Sequence, residues 1–455
     1  MSEQVKYILE EDRIPRQWYN IEADLPSPTP KPLNPGTGEP MRPEELEVIF
    51  AKTLIEQEFS KERHIDIPEP VREIMRQWRP SPLYRARRLE KALGTPAKIY
   101  YKYEGVSPSG SHKSNSAMAQ AFENKRCGTK RVTTETGAGQ WGSALSQACN
   151  IFGIECRVFM VRCSYDQKPY RKAMMELFGG KVFASPSSET KAGRDILAKD
   201  PECRGSLGIA ISEAIEEAVQ DKDTKYCLGS VLNHVLLHQS VIGQEALLQM
   251  EMANDYPDII VGACGGGSNF AGIAFPFLGE KLRGGRDVKI IGVEPAACPS
   301  LTRGKYAYDF GDVAGTTPLM KMYTLGSRFM PAAVHAGGLR YHGMAPQISN
   351  VLKQGLMEAR TVQQLDVFRD ATIFARSEGI TPAPESAHAI SGAMDEARKC
   401  AETGEAKAIL FNLSGHGHLD MAAYIEYFAG KLKNYEYPQE EIAMALSCLP
   451  SCGQK

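Results

Sequence analysis

The sequence predicts an α/β protein with mostly parallel β-sheets, and three observations support this class. Short apolar, β-rich runs recur from about residue 80 onward. Stretches with a helical spacing of apolar and small residues separate them, and glycine- or serine-rich turns follow several runs. Short apolar strands separated by helices are typical of parallel sheets that are buried on both faces.

Length, charge and cysteine content narrow the class further. A chain of 455 residues predicts two packed domains. A net charge of -2 provides no strong positive field for nucleic acid or anionic lipid. No apolar stretch approaches the ~20 residues that span a bilayer, and the charged N-terminus does not resemble a signal or transit peptide. The eleven cysteines are scattered, as expected for core residues in a reducing compartment. We therefore expect a cytoplasmic protein.

The first 79 residues are predicted to form an extension with an extended arm and two helices. Residues 26–43 contain seven prolines and favour an extended, polyproline-like arm on a surface. Apolar residues at helical spacing predict a helix from Pro43 onward, and a second short helix is predicted at 69–78. The predicted divisions are an extension at 1–79, an N-terminal α/β domain with a mobile subdomain at 80–230, and a C-terminal α/β domain at 231–455.

Six buried strands are predicted in the remainder of the chain. They are residues 97–103, 156–162, 181–185, 258–264, 288–294 and 407–413. Ligands of open parallel sheets bind beyond the carboxyl ends of the strands, so the turns after these strands are where functional residues are expected.

A lysine follows the first of these strands in an unusual position. The turn from Ser107 to Ser111 leads through His112 and Lys113 into a predicted helix. A cation at a helix N-terminus is opposed by the helix dipole. The position is reasonable if the amine is neutralised as an imine beside a bound phosphate. The alternative is a solvated lysine beside a loop.

Two further turns have the composition of anion sites. Gly265, Gly266, Gly267, Ser268 and Asn269 follow a strand and open a helix, which favours a monophosphate, although a simple tight turn is the alternative. The turn at 136–140 follows the short apolar run at Val132 and could present N–H groups to a carboxylate. Glu135 beside it is a candidate general acid/base, or else an ordinary surface glutamate.

The last strand is followed by Ser414, which is expected to point into the cleft.

Three pairs of residues have a spacing found in metal sites, but they lack the further ligands that a zinc site needs. They are His416/His418, His234/His238 and Cys448/Cys452. Core or surface residues are the simpler interpretation, so no metal site is predicted.

Five motifs in this order resemble the tryptophan synthase β-chain family. They are HKSN with Lys113, ETGAGQWG with Glu135, GGGSN at 265–269, PESAHA with Glu385 and NLSG with Ser414. The resemblance runs from about residue 80 to 430. The first 80 residues are similar to the longer, second class of these β chains.

The resemblance implies fold type II of the pyridoxal-phosphate enzymes, with the cofactor between two three-layer α/β domains. It implies a β-replacement in which L-serine and indole give L-tryptophan and water. It implies a β–β homodimer, an α-chain partner and often a monovalent cation. The implied catalytic residues are Lys113, as the Schiff-base lysine, and Glu135, as the acid/base. The implied cofactor-binding residues are Lys113, His112, Gly265, Gly266, Gly267, Ser268, Asn269, Ser414 and Glu385. The implied substrate-binding residues are Thr136, Gly137, Ala138, Gly139 and Gln140.

The sequence departs from the better-known members of the family at two places. Trp141 stands where they usually have histidine. Leu325 lies about where they have the acidic residue that closes over serine, with Arg328 nearby. Arg328 could instead face a charged leaving group, so O-phosphoserine is an alternative donor. A different β-elimination or replacement enzyme of the same fold and a subunit active only with an α chain also stay open, although Glu135 argues against a cysteine synthase or threonine dehydratase.

Overall fold

The computed structural model describes residues 4–451 and contains two main β-sheets. A seven-stranded sheet has the order β1-β4-β5-β15-β10-β11-β14, and a four-stranded sheet has the order β8-β7-β6-β9. Two short pairs, β2-β3 and β12-β13, accompany them. The strands are β1 Lys6–Tyr7, β2 Gln17–Tyr19, β3 His64–Asp66, β4 Leu83–Arg85, β5 Lys98–Tyr103, β6 Arg131–Thr136, β7 Glu155–Val161, β8 Lys181–Ser185, β9 Thr224–Tyr226, β10 Ile259–Ala263, β11 Lys289–Pro295, β12 Lys305–Phe310, β13 Leu319–Thr324, β14 Glu358–Val362 and β15 Ala408–Leu413.

Helices cover both faces of the two main sheets. They are α1 Lys52–Phe59, α2 Glu69–Met75, α3 Arg87–Leu93, α4 Lys113–Arg126, α5 Gln140–Phe152, α6 Arg162–Gln167, α7 Pro169–Leu177, α8 Lys191–Lys199, α9 Leu207–Gln220, α10 Asn233–Gln239, α11 Val241–Met252, α12 Ser268–Leu282, α13 Ser300–Arg303, α14 Pro346–Lys353, α15 Gln364–Glu378, α16 Pro384–Thr403, α17 Met421–Phe428 and α18 Gln439–Leu446. Among residues 4–451, none is both long and apolar enough to cross a membrane.

All six predicted strands are confirmed, as β5, β7, β8, β10, β11 and β15. The pairings β5-β15, β15-β10, β10-β11 and β7-β8 are parallel. Five of these strands are largely buried, which explains why the sequence shows continuous apolar runs there rather than alternation. The exception is β8, where only Ser185 is buried.

The N-terminal extension differs from the prediction in one detail. The prediction of a single helix from Pro43 is wrong, because the segment forms a 3-10 turn at Pro43–Leu46 and then a separate helix α1. The break arises because the carbonyl of Ile49 accepts a hydrogen bond from the backbone N–H of Tyr226 at 2.8 Å, and is therefore not used within a helix. The proline arm has no helix, and its Leu33 exchanges two backbone hydrogen bonds with Leu319 of β13.

The predicted division into domains stays a prediction. The four-stranded sheet lies wholly within residues 80–230, as does β5, yet β5 is hydrogen-bonded to β15 in the seven-stranded sheet. The chain between β5 and β6 is the helix α4, so this helix connects the two sheets and lies beside the cleft between them.

A buried ion-pair network fixes the start of helix α4. Arg79 bonds to the carboxylates of Glu245 at 2.8 Å and Glu104 at 2.9 Å, and Lys102 bonds to Glu245 at 2.7 Å. All four side chains are fully buried. Arg79 also donates to the amide oxygen of Asn115, in the first turn of α4. The network therefore holds the helix that carries Lys113 in a fixed position.

Candidate active site

Lys113 is the first residue of α4 and its amine reaches into the cleft between the sheets. Nζ donates a hydrogen bond to the carbonyl oxygen of Gly229 at 2.9 Å and lies 5.9 Å from the centre of the Trp141 ring. Burial lowers the pKa of Lys113 to about 8, although the charges of Glu135 and Glu385 oppose the shift. An amine with a pKa near neutrality is a more available nucleophile than an ordinary lysine.

His112 connects the lysine turn to the glycine-rich turn. Its backbone N–H donates to the carbonyl of Ser414, and its Nε2 lies 3.1 Å from the hydroxyl of Ser268. Burial and the neighbouring Lys113 charge lower the pKa of His112 to about 3, so the ring is neutral at physiological pH. Ser268 also donates to the carbonyl of Gly229, which accepts from Lys113 as well.

The turn between β10 and α12 forms a shallow cup lined by backbone. Gly267, immediately before α12, has a φ of +99°, and a Cβ there would lie 2.0 Å from Cδ1 of Ile348. Only glycine fits at this point. Asn269 donates to the carbonyl of Ala263 at 2.7 Å, while its Oδ1 is buried without a hydrogen-bond partner among the described residues. The free N–H groups of the α12 N-terminus face this cup, as at other anion sites.

Ser414 and Glu385 line the opposite side of the same cavity. The hydroxyl of Ser414 lies 2.8 Å from that of Ser386, at the end of β15. Glu385 accepts from the backbone N–H of Gly338 through Oε1, and its buried Oε2 has no partner within the described chain. The cavity brings together the predicted residues of the lysine turn, the glycine-rich turn and the strand end at Ser414.

The predicted carboxylate turn follows β6 directly. Thr136 ends the strand, Gly137 and Ala138 form the turn, and Gln140 begins helix α5. Gly139 has a φ of +98° where the chain turns into the helix, and within the first helical turn the N–H of Gly142 donates to Oγ1 of Thr136 at 3.2 Å. Gln140 also lines the cavity that contains Lys113, so the turn faces that cavity from the four-stranded sheet.

Glu135 is buried one residue before this turn and is hydrogen-bonded to Tyr226. The phenol of Tyr226 on β9 donates to Oε2 of Glu135. Burial raises the pKa of Glu135 to about 7, against the opposing effects of the Tyr226 hydrogen bond and the Lys113 charge. A carboxyl group with this pKa can both accept and return a proton at physiological pH. The alternative of an ordinary surface glutamate is therefore excluded.

A second cavity, almost wholly apolar, lies on the other side of Glu135. Its wall includes Leu46, Phe50 and Leu54 of the N-terminal extension together with Ile211 of α9 and Met322 of β13. Glu135 and Tyr226 are among its few polar lining residues. An apolar ligand in this cavity would therefore contact the carboxyl group of Glu135.

The cavity around Lys113 does not include Arg328, Leu325, His234 or His238, although His234 lines the apolar cavity. Arg328 is exposed, and Leu325 is fully buried among apolar side chains. His234 bonds to Glu58, and His238 bonds to Gln57 and Ser116, so both are core histidines, as the simpler interpretation held. Within residues 4–451 no three His, Cys, Asp or Glu side chains group as a metal site. Cys452, the partner considered for Cys448, lies outside the described residues.

Comparisons with known proteins agree with this arrangement. The family described as "Pyridoxal-phosphate dependent enzyme" matches residues 74–415. Tryptophan synthase beta chain 2 of Methanosarcina mazei is 60% identical over 431 residues, covering 95% of this chain and 98% of the relative. The protein of the same name from Thermotoga maritima is 61% identical over 417 residues, covering 92% and 99%. The chain belongs to the tryptophan synthase β-chain family.

Solved structures show the same fold at much lower sequence identity. An O-acetylserine sulfhydrylase isoform of Entamoeba histolytica aligns with a TM-score of 0.56 at 20% identity, covering 82% of this chain and 95% of that one. A threonine deaminase isoform of Solanum lycopersicum aligns with a TM-score of 0.57 at 18% identity, covering 77% and 87%. The predicted fold type II of the pyridoxal-phosphate enzymes is therefore confirmed.

Members of this family use pyridoxal phosphate, and the cavity around Lys113 fits that cofactor. It offers an amine of lowered pKa, a backbone cup at a helix N-terminus for the phosphate, and a serine hydroxyl at the opposite end. The buried, unpartnered Oδ1 of Asn269 and Oε2 of Glu385 are polar atoms that a bound group would satisfy.

Sequence reasoning missed three polar residues of this β chain's site. Tyr226, Ser386 and Ser230 line the cavities or bond to predicted residues. Ser386 follows Glu385 directly, so the PESAHA motif contained the signal. Tyr226 lies on β9, opposite Thr133 of β6. Only the pairing of these two strands brings it to Glu135.

Proposed function

We propose that this chain synthesises L-tryptophan from L-serine and indole, with Lys113 holding pyridoxal phosphate and Glu135 moving a proton. The observation that carries the proposal is the position of Glu135. It is buried, has a pKa of about 7, and lines an apolar cavity beside the turn that is suited to an amino-acid carboxylate. Such a carboxyl group is needed for an acceptor with a weakly acidic N–H, which a sulfide acceptor does not have.

The residues around Lys113 are assigned to the amino-acid donor. When bound, pyridoxal phosphate supplies the electron acceptor that activates the Cβ of the amino acid. Lys113 would hold it, and the N–H groups and side chains at 265–269 would hold its phosphate. Ser414 would offer a neutral hydroxyl to its ring. The turn from Thr136 to Gln140 binds the substrate carboxylate at the positive end of helix α5.

The apolar cavity and Glu135 are assigned to the acceptor. Indole is flat and apolar with a single N–H donor, which matches a mostly apolar wall that contains the carboxyl group of Glu135. The second carboxyl group of the wall, that of Glu58, is already bonded to His234. A carboxylate that accepts the proton from N1 makes C3 of indole more nucleophilic. The hydrogen bond from Tyr226 holds Oε2 of Glu135 in place at the wall of the acceptor cavity.

A second candidate donor is O-phosphoserine, with its phosphate held by arginine. Arg340 and Arg204 line a further cavity that also contains Gly137 of the carboxylate turn. Arg340 is buried and donates to the hydroxyl of Ser164. Arginine pairs well with phosphate oxygens. This assignment replaces Arg328, which is exposed.

The assembly and location of the enzyme are part of the same proposal. We assign an α-chain partner on the basis of the relatives' name, tryptophan synthase beta chain. The β–β homodimer is assigned from the family resemblance of the sequence alone. A cytoplasmic location fits the ten cysteines of the described chain, all of which are free thiols.

Steady-state kinetics of the purified chain test the proposed function. L-Serine and O-phosphoserine serve as donors, and indole and sulfide as acceptors, each with and without an α chain. Tryptophan formation from serine and indole by the chain alone supports the proposal. Turnover with sulfide but not indole would overturn it. Arg340→Gln should lower kcat/KM for O-phosphoserine but not for serine, with Arg328→Ala as the matched control.

A further inference from the structure

Three buried charged residues lie behind the turn assigned to the substrate carboxylate. Nζ of Lys168 is 2.6 Å from Oδ1 of Asp420, and Nη2 of Arg171 is 3.4 Å from Oδ2 of the same carboxylate. Both Arg171 and Asp420 have fully buried side chains. Lys168 and Arg171 lie at the start of α7, beside the four-stranded sheet, whereas Asp420 precedes α17, in the segment after β15. The cluster therefore joins the two sides of the cleft.

The side chain of Arg171 sets the position of the turn. A Cβ at Gly139 would lie 2.7 Å from Cβ and 3.0 Å from Cγ of Arg171, so the backbone of Gly139 rests directly against the aliphatic part of the arginine. The first residue of α5 comes next in the chain. Any movement of Arg171 would therefore displace the N–H groups at the start of α5.

The cluster carries an excess positive charge. It contains two cations and one carboxylate, and Nε and Nη1 of Arg171 are buried without a hydrogen-bond partner among the described residues. The two cations keep the pKa of Asp420 below its usual value even though burial alone would raise it. The adjacent His416 does not compete for Asp420 as a cation, because burial, His418 and Arg171 lower its pKa to about 4.

We propose that Lys168, Arg171 and Asp420 are positioning residues for the donor amino acid. Asp420 anchors Arg171 across the cleft, and Arg171 supports Gly139 from behind. The excess positive charge of the cluster favours an anion on the other side of the turn, where the substrate carboxylate is assigned. This inference rests on the proposed function for the identity of that anion.

The test compares Asp420→Asn with Asp420→Glu in the cofactor-loaded enzyme. Removal of the charge should raise the KM for serine by about tenfold or more, because a small misplacement of a binding group is costly. The KM for indole should stay within about twofold, since the acceptor cavity does not include the cluster. Hydrogen exchange of residues 137–148 should become faster. Asp420→Glu keeps the charge and should recover most of the serine affinity.

Glu176→Gln is the matched control. It neutralises the carboxylate of a more exposed ion pair, Glu176 with Lys172, on helix α7, which also carries Arg171. It should leave all three measurements unchanged. If Asp420→Asn does not fold, Lys168→Gln provides the same measurements at the edge of the cluster. Unchanged serine KM and exchange, or an equal rise in both KM values, would overturn the inference. A wild-type chain that makes no tryptophan would instead overturn the proposed function.

Discussion

The phenol of Tyr226 donates a hydrogen bond to the carboxylate of Glu135, although the two residues are 91 positions apart in the sequence. Both side chains are buried, and the contact forms because β9 and β6 are parallel neighbours with Tyr226 opposite Thr133. The bond stabilises the ionised carboxylate, whereas burial opposes it. Together they leave Glu135 with a pKa close to physiological pH.

Tyr226→Phe should shift the pH dependence of tryptophan synthesis. The loss of the donor destabilises the carboxylate, so the pKa of Glu135 should rise above about 7. A hydrogen bond to a charged group contributes about 1.5–3 kcal/mol, which corresponds to a shift of about one to two pH units. In a plot of kcat against pH, the acidic limb should move to higher pH by that amount. Tyr306→Phe, on the separate two-stranded sheet, is the control, and an unshifted limb in Tyr226→Phe would contradict the assignment.

Glu135→Gln should make the folded protein more stable at alkaline pH. The pKa of Glu135 is raised from 4.5 to about 7, so the folded state holds its proton more tightly than the unfolded chain. Ionisation of Glu135 therefore destabilises the folded state. This destabilisation is absent below pH 4.5, grows as pH rises, and is complete above about pH 7. Urea unfolding should show the variant more stable by about 3 kcal/mol at pH 8, with a smaller difference at pH 5. A constant difference at both pH values would argue against a protonated Glu135.

Lys113→Ala should lose covalently bound cofactor and nearly all turnover. Among the lysines of residues 4–451, only Lys113 combines a helix-opening position with a pKa lowered to about 8 and a place in the cavity of the glycine-rich turn. The measurement is the absorbance of cofactor that survives borohydride reduction and dialysis. Lys172→Ala, on helix α7, is the control. Retained cofactor in Lys113→Ala would mean that a different lysine holds it.

Glu104→Gln should destabilise the enzyme strongly, because it leaves Arg79 partly unpaired in a fully buried network. Loss of one partner of a buried ion pair costs about 3–5 kcal/mol. Burial alone would raise the pKa of Glu104, but Arg79 and Lys102 lower it to about 2. The stabilisation is therefore present above pH 4.5 and is lost as pH falls toward 2. Unfolding at pH 7 and pH 3, with the exposed Glu11→Gln as control, measures both effects.

Most of the strands predicted from the sequence are largely buried and mainly apolar. Strand β6 was only partly recognised, because its buried residues include Thr133, Thr134 and Glu135. Strands β12 and β13 form a separate two-stranded sheet, and most of their side chains alternate between buried and partly exposed positions. Hydrophobic runs therefore identify the centre of a parallel sheet better than its functional or peripheral strands.

The site residues that were predicted from the sequence are those that follow the end of a strand within one short segment of the chain. Lys113, the turn at 265–269 and Ser414 lie in such segments, and the fold brings them to one cavity. Tyr226 and the Lys168–Asp420 pair could not be predicted, because each contact joins residues that are distant in the sequence. Strand register and helix packing create these contacts, and local composition carries no signal of them.

The rate of tryptophan formation by Glu135→Gln tests the central claim most directly. Glutamine keeps the size of the side chain and can still bond to Tyr226, but it cannot accept or return a proton. The variant should bind pyridoxal phosphate and L-serine nearly as well as the wild type, because Lys113 and the glycine-rich turn are unchanged. Its rate with indole should fall by about 10²–10⁴, the usual effect of losing a general acid/base. Tryptophan synthesis at close to the wild-type rate would contradict the account.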